Sequence, residues 1–342
     1  MEQVKRRPWR RWVVLVLMIV GFILGGIFVP VQPEIAVAPE KLIEEPIVGN
    51  FLGLGPLYFV NTLPTLFVTI FLVILPLAWW IRNSLKKSAS SDLIPRGIGN
   101  VAEAILEILY NLTEGSAGAK WAKAIFPWFA TIMIYVLFAN LLKLIPGFES
   151  IGVLHPAHGE GHLTKELGTF LGYRWDLLTP DKLEEGGYIL APFFRGISVD
   201  LNFTASLAII AVIAIQFIGF RAQGFSYLSK FFNTKRMFKV PFFGAMDFLV
   251  GLLELISELS KILSFAFRLF GNMFAGIVLV AIVAGLLGKF SILPAMIMMF
   301  ELFVGVIQAF VFGMLTMVFM AQATQGHGEE EHAEADAEAH EL

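Results

Sequence analysis

Residues 291–321 read SILPAMIMMFELFVGVIQAFVFGMLTMVFMA and contain one ionisable side chain, Glu301. Lipid offers no hydrogen-bond partners to the backbone, so an apolar stretch of this length predicts a membrane helix. As a helix it would be about 46 Å long, against a hydrocarbon core of about 30 Å. Residues 247–288 form a second such stretch, of about 63 Å. We expect the two to form a hairpin of long helices, steeply tilted or kinked in the bilayer.

The composition of the whole chain also indicates a membrane protein. Of its 342 residues, 57% are apolar and 15% are charged, whereas soluble proteins average about 25% charged residues. The chain has no cysteine, which excludes disulfides, thiolate metal sites and a cysteine nucleophile. All six histidines lie outside the apolar runs, so no imidazole is expected inside the membrane. We therefore predict an all-α, polytopic membrane protein.

Four further apolar runs bring the predicted total to about six transmembrane helices. They cover residues 12–31, 58–81, 122–145 and 201–220. The first follows a basic stretch and could instead be a cleaved signal peptide, although its length favours a retained anchor. Residues 97–116 carry apolar side chains at helical spacing with Glu103 and Glu107 opposite, which predicts an amphipathic helix. This helix would lie on the membrane surface or pack against another subunit.

Lysine and arginine, which accumulate on the cytoplasmic side of membrane proteins, set the predicted orientation. They are concentrated before the first span and after the second and fourth spans, while the loops at 32–57 and 146–200 are acidic. Both termini are therefore expected to be cytoplasmic, with 146–200 as a long outer loop. The predicted division is an anchor helix and outer loop at 1–57, a core at 58–322 and an acidic, histidine-containing tail at 323–342.

Ionisable side chains inside a bilayer are costly and mark functional paths. The fifth predicted helix carries a single polar stripe, formed by Glu254, Ser257, Glu258, Lys261, Ser264, Arg268 and Asn272. Glu258 and Lys261 are three residues apart and could pair. Arg268 would lie about 21 Å along the helix from Glu254 and about 30 Å from Gly288. This permanent cation requires a carboxylate or a water channel.

On the last helix, Glu301 and Gln308 are seven residues apart, which places both on one face. Gly305 lies between them and would let another backbone approach closely. If the two helices are antiparallel, Arg268 and Gln308 come to a similar depth. A fixed cation would block an open pore, so the residues indicate an interrupted path for protons or other cations.

Two other classes of membrane protein were weighed against this interpretation. An ion-coupled secondary transporter would also carry intramembrane acids and arginine. It would be expected to show two similar halves or interrupted half-helices, and neither is evident in the sequence. A purely structural anchor would not need an arginine at mid-depth.

Residues 267–276, FRLFGNMFAG, resemble the signature of subunit a of F-type ATP synthases. Glu301, together with QAF at 308–310, resembles the last helix of that family. Further similar segments are ELIS at 254–257, SK at 260–261, NLL at 140–142, IP at 145–146 and SVDLNFT at 198–204. The resemblance covers about residues 58–322. Two positions depart from the family: Ile277 stands where an acid or histidine is frequent, and Lys143 where an aspartate is frequent.

The resemblance implies a proton-conducting stator subunit that faces a rotating ring of c subunits, each with a membrane carboxylate. Arg268 would attract each carboxylate in turn and keep two offset half-channels apart. Glu301 would deliver protons in the outer half-channel, with Asp200 and Asn202 near its mouth. The inner half-channel would be lined by Glu254, Ser257 and Asn272. Gln308 would hold Arg268 in place by hydrogen bonding.

The resemblance also implies partners and a location. Besides the c-ring, the chain would contact subunit b of the peripheral stalk, the rest of the ATP synthase and lipid, in a prokaryotic cytoplasmic membrane. The chain would be non-catalytic, because it has no Walker motif to bind a nucleotide. No metal, other cofactor or nucleic acid is expected. Whether protons or sodium ions are carried depends on the ring carboxylate and stays open.

Simpler interpretations compete for several of these residues. Asp200 precedes a helix and could be only an N-cap. Glu254 could be a solvated helix end, and Ser257 and Asn272 could serve helix packing.

Histidines of the outer loop have a spacing that could suit a metal ion. His155, His158 and His162 lie near Glu160, at steps of three and four. Because Pro156, Gly159 and Gly161 interrupt the segment, we expect an irregular loop without a metal site. The histidines of the acidic tail are expected to be part of a solvated segment.

Overall fold

The structure, a computed structural model, describes residues 38–325 and positions 12 and 16, except for 44, 51–52, 54, 92–97, 146–147, 158, 160, 171–172, 232–240 and 288–292. Its described part contains five helical segments long and apolar enough to cross a membrane: Thr62–Ser84, Gly99–Leu142, Leu201–Leu228, Leu249–Leu286 and Met296–Thr324. They correspond to five of the predicted spans, which confirms the helical, polytopic fold. The predicted first span at 12–31, except positions 12 and 16, and the tail beyond 325 lie outside the described residues.

The first described span has three parts. It begins with α1 (Thr62–Phe67), continues as a π-helical segment (Val68–Ile74) and ends with α2 (Leu75–Ser91). The π-helical segment was not predicted. Here Thr69 donates a hydrogen bond from Oγ1 to the carbonyl of Thr65, at 2.7 Å. Such back-bonding weakens the regular helical ladder, and hydropathy alone gives no sign of it.

The helix α3 (Ile98–Leu142) joins the predicted amphipathic helix to the next membrane span. Gly118 separates the two parts, because its φ of 72° and ψ of 159° interrupt the helical backbone and suit glycine. On the amphipathic part, Leu109 is buried in the core of the chain and Leu112 packs against that core. Val101, on the same predicted face, stays exposed. The amphipathic helix therefore packs partly on its own chain.

The remaining helices lie in the C-terminal half of the chain. They are α4 (Leu201–Gln223), which a 3-10 segment (Gly224–Lys230) follows, α5 (Pro241–Leu287) and α6 (Leu293–Thr324). As straight rods, α5 and α6 would be about 70 Å and about 48 Å long. Both exceed the hydrocarbon thickness of a bilayer, as the sequence predicted.

The segment predicted as an outer loop contains a four-stranded antiparallel sheet, which corrects the all-α description. Its strands are β1 (Gly152–Pro156), β2 (Gly161–Phe170), β3 (Tyr173–Leu183) and β4 (Tyr188–Pro192), in the order β1-β4-β2-β3. His155 and His162 therefore lie on strands, and the prediction of an irregular loop was wrong there. Pro156 and Gly161, which suggested a loop, instead mark the end of β1 and the start of β2.

The chain divides into two compact units. The larger comprises Thr62–Phe148, Arg195–Phe274 and Leu302–Leu342, and the smaller Met1–Asn61, Glu149–Phe194 and Ala275–Glu301. The core of the larger unit is formed by α3, α4 and α6 and includes Phe129, Ile215 and Met317. Within it, a Cβ on Gly313 would lie 2.9 Å from Cβ of Met133, so α6 approaches α3 closely at this glycine.

Candidate functional site in the membrane helices

Aromatic contacts fix the register of α5 against α6 in the larger unit. The ring of Phe265 lies 4.9 Å from that of Phe312, centroid to centroid, and Nζ of Lys261 lies 4.8 Å from the ring centroid of Phe319. Lower numbers on α5 therefore meet higher numbers on α6, so these parts of the helices are antiparallel. Because both helices rise about 1.5 Å per residue, the first contact sets Arg268 next to the level of Gln308 and the second sets it about one turn further along α6.

Arg268 lies at the edge of an uncovered apolar surface. Its side chain is half-buried, and Nη2 donates a hydrogen bond to Oγ of Ser264 at 3.2 Å. Among the described residues, no carboxylate is within ion-pair distance of the guanidinium. The neighbouring Leu263 and Phe267 are 55% and 54% exposed. This region of α5 thus presents a permanent cation beside side chains that no other described part of the chain covers.

A buried ion pair lies on α5, toward its N-terminus. Glu258 is 6% exposed, and its Oε1 accepts a hydrogen bond from Nζ of Lys261 at 2.8 Å. The predicted pairing of these two residues is confirmed. Of the residues predicted to line the inner half-channel, Glu254 is half-buried, whereas Ser257 and Asn272 are exposed on α5.

Glu301 lies in the smaller unit, against a glycine of α5. Its side chain is buried, and a Cβ added to Gly276 would contact Oε1 and lie 2.8 Å from Cδ of Glu301. The carboxyl group therefore occupies the space that any side chain at position 276 would fill. Gly276 was not among the predicted site residues, although a glycine at the end of the FRLFGNMFAG segment allows a neighbouring helix to approach closely.

Asn140 connects three elements of the larger unit. Its Nδ2 donates to the carbonyl of Gly305 at 3.1 Å, and its Oδ1 accepts a hydrogen bond from Oγ of Ser198 at 2.6 Å. A Cβ on Gly305 would lie 3.2 Å from Cβ of Asn140. The prediction was that another backbone would approach this glycine; the close neighbour is the Asn140 side chain. The amide fixes the backbone of α6 three residues before Gln308.

Asp200 has the geometry of a helix N-cap. It is buried, and its Oδ1 accepts a hydrogen bond from the backbone N–H of Asn202 at 2.9 Å. Its Oδ2 accepts from Oγ1 of Thr62, also at 2.9 Å, and so ties the start of α4 to the start of α1. The side chain of Asn202 is exposed. These contacts give Asp200 a structural role, whether or not it also handles protons.

The structure thus groups the predicted site residues unequally. In the larger unit Arg268 and Gln308 lie at a similar level. Glu254, Ser257 and Asn272 lie on the same helix as Arg268, and Asp200 and Asn202 lie at the start of α4. Glu301 belongs to the smaller unit, as part of the segment Ala275–Glu301. Among the described residues, no group of three or more acids and histidines could hold a metal ion. His158, Glu160 and the histidines of the tail lie outside them.

These features define a class of protein: a multi-pass helical membrane protein whose long last helices carry ionisable side chains within the membrane. The sequence matches the family described as ATP synthase A chain over residues 64–321. It is 30% identical over 243 residues to the ATP synthase subunit a of Campylobacter jejuni subsp. jejuni serotype O:23/36 (strain 81-176), covering 70% of this chain and 83% of the relative. With the ATP synthase subunit a of Helicobacter pylori (strain Shi470) the identity is 28% over 264 residues, covering 76% and 92%.

The chain belongs to the ATP synthase A chain family. The predicted resemblance is thereby confirmed, and the alternative of a secondary transporter is not favoured.

Proposed function

We propose that the chain is the proton-conducting stator subunit of an F-type ATP synthase and that Arg268 is its central charge. The observation that carries the proposal is the position of Arg268. It lies near the level of Gln308, at the edge of an uncovered apolar surface of α5, and its guanidinium has a hydroxyl but no carboxylate partner among the described residues. A cation in a membrane-spanning segment needs an anion, and carboxylates on a separate rotating ring supply it.

Electrostatic attraction then explains how Arg268 acts. Two unit charges about 4 Å apart attract by about 4 kcal/mol at an effective dielectric constant of about 20. A ring carboxylate that arrives opposite Arg268 is therefore favoured in its deprotonated form and releases its proton. Because the guanidinium stays charged, protons do not pass it directly, and they cross the membrane only by riding on the ring.

The other site residues supply proton access on either side of Arg268. We assign Glu301 to the outer half-channel, because its carboxyl group is held in a buried position against Gly276. Asp200 and Asn202 lie at the start of α4, near the predicted outer mouth. We assign Glu254, Ser257 and Asn272 to the inner half-channel. Gln308 is the residue that positions Arg268.

The exposed face of α5 is the surface that we assign to the c-ring. Within its membrane segment Leu249–Leu286, 11% of the residues in the most apolar stretch of 18 residues are buried in this chain. A helix that buried its apolar residues in its own protein would show a larger fraction. Subunit b of the peripheral stalk would hold the chain against the torque of the ring. The catalytic step belongs to the soluble sector of the complex.

From the positions of lysine and arginine we infer that both termini lie in the cytoplasm of a prokaryotic cell. With this orientation, protons enter from the outside and leave on the cytoplasmic side. A membrane potential contributes about 2.3 kcal/mol per proton for each 100 mV. This free energy biases the rotation of the ring, and the soluble sector uses it to form ATP.

The test is substitution of Arg268 by alanine in the assembled complex. We expect ATP-driven proton pumping into inverted membrane vesicles to be lost, while the soluble sector, once detached, still hydrolyses ATP. Arg174→Ala, an exposed arginine of β3 outside the membrane helices, is the matched control and should pump normally. Coupled pumping by the Arg268→Ala complex would overturn the proposal. Purification of the intact complex without a ring of small hairpin subunits would favour a transporter instead.

A further inference from the structure

The hairpin formed by β2 and β3 has one face made of exposed apolar side chains. Backbone pairing sets Lys165 opposite Leu177 and Gly168 opposite Trp175, and alternate residues of a strand share a face, so Trp175 and Leu177 (each 48% exposed) lie on one face with Lys165. The register shifts between His162 and Thr164 and between Glu166 and Gly168, and the exposed side chains of Leu163 (44%) and Leu167 (68%) adjoin this face at the two shifts. We call this set the apolar hairpin face. In a sheet packed on its own core, such a face would be buried.

The opposite face of the hairpin carries charge. Here Glu166 pairs with Asp176 across the strands. Asp176 accepts hydrogen bonds from Nε and Nη2 of Arg174, at 3.0 and 2.7 Å. Polarity therefore alternates along Trp175, Asp176 and Leu177 of β3, which is typical of a strand pair between water and an apolar medium, while Leu178, opposite Thr164, also lies on the charged face.

Short connections tether this sheet to the membrane. Residues 143–151 join the end of α3 to β1, and residues 193–200 join β4 to α4. An extended chain spans at most about 3.6 Å per residue, so connections of this length reach at most roughly 30 Å. The nearest apolar medium for the apolar hairpin face is thus the bilayer.

The composition of the apolar hairpin face matches the membrane interface. Tryptophan favours the headgroup region, where its ring is amphipathic, and Lys165 can extend its ammonium group toward lipid phosphates. Exposed apolar patches of this kind on soluble surfaces mark sites of association. We propose that the β2–β3 hairpin lies on the bilayer, with Leu163, Leu167, Trp175 and Leu177 in the interfacial region of the leaflet on its own side of the membrane. This contact is independent of the proton path.

The absence of cysteine from the chain allows a direct test. Single cysteines at each position from 163 to 167 carry a nitroxide label in the intact complex, whose other subunits lack reactive cysteines, in phosphatidylcholine–phosphatidylglycerol vesicles. Power saturation measures collisions with oxygen, which concentrates in lipid, and with a water-soluble nickel chelate. We expect the ratio of the two to be several-fold higher at Lys165, which is paired with Leu177, than at Thr164 and Glu166, which belong to the other face and serve as matched controls.

Two results would overturn the proposal. Equal access of the nickel chelate to all five positions would mean that the hairpin lies in water. Shielding of the apolar hairpin face from both reagents would mean that a protein covers it, either another subunit or a second copy of this chain. If Lys165→Cys fails to assemble, a label at Leu177, which is paired with Lys165 on the same face, answers the same question. Normal ATP-driven pumping by each labelled complex shows that its fold is intact.

Discussion

Replacement of Gly276 by alanine should impair proton conduction through a single added methyl group. The new Cβ would contact Oε1 of Glu301 and lie 2.8 Å from its Cδ. Non-bonded carbon atoms are at their optimal separation at about 3.5 Å or more. The carboxyl carbon must therefore retreat by about 0.7 Å, or α5 must move by a similar distance.

Two magnitudes follow from this displacement. Insertion of a methyl group into a packed site costs about 1–3 kcal/mol, which a helical membrane protein of this size should survive. A displacement of about 1 Å at a reacting group can cost about 100-fold in rate. If Glu301 delivers protons, we therefore expect the flux in Gly276→Ala to fall by roughly 10- to 100-fold while the complex still assembles.

The assay is passive proton conductance through the membrane sector in vesicles, together with ATP-driven acidification. Gly115→Ala is the matched control, because a Cβ at that position meets no heavy atom within 4 Å. Shortening the acid by Glu301→Asp makes room for the methyl group, so the double variant should lose less than the two single losses combined. Normal flux in Gly276→Ala, with the complex intact, would refute the assignment of Glu301 to the proton path.

Two further predictions separate structural from proton-handling roles. For the buried pair, Glu258→Gln leaves the ammonium group of Lys261 without its anion and should destabilise the complex by about 3–5 kcal/mol. Exchanging the two residues restores the pair. Recovery of both thermal stability and pumping in the exchanged variant would assign the pair a structural role, whereas continued loss of pumping would assign it a role in proton exit. For Asp200, asparagine retains N-cap ability whereas alanine costs about 1 kcal/mol. If Asp200 is only a cap, Asp200→Asn should pump normally with an unchanged melting temperature, and a stable complex with slowed flux would contradict that reading.

The helices could be predicted because the bilayer imposes one simple requirement on the chain. A long run such as 291–321 must satisfy its backbone within the segment, and the structure places α6 at Leu293–Thr324. Local departures from the regular helix could not be predicted from the sequence. The π-helical segment Val68–Ile74 and the break at Gly118 depend on backbone details that leave hydropathy unchanged.

The sheet was not predicted because its segment carries both strand and loop signals. Leu163, Lys165 and Leu167 alternate with polar residues, but the segment also contains the glycines and prolines that indicate loops. The strands are held by backbone pairing with β3 and β4, partners that a single segment does not reveal. For the site, charge and spacing predicted Arg268, Glu301 and Gln308, whereas the close approach of Gly276 to Glu301 required coordinates.

The two cations of α5 show why Arg268, and not its neighbour, suits a moving partner. Lys261 is neutralised by Glu258 at 2.8 Å and lies over the ring of Phe319. Arg268 lies two turns further along the same helix, yet the described residues give its guanidinium only the Ser264 hydroxyl. Since an unpaired charge in a low-dielectric environment costs several kcal/mol, the chain satisfies one cation within its own fold and leaves the other to an external anion. A partner that binds and departs must meet the second kind of site, because a charge already neutralised offers an arriving carboxylate little attraction.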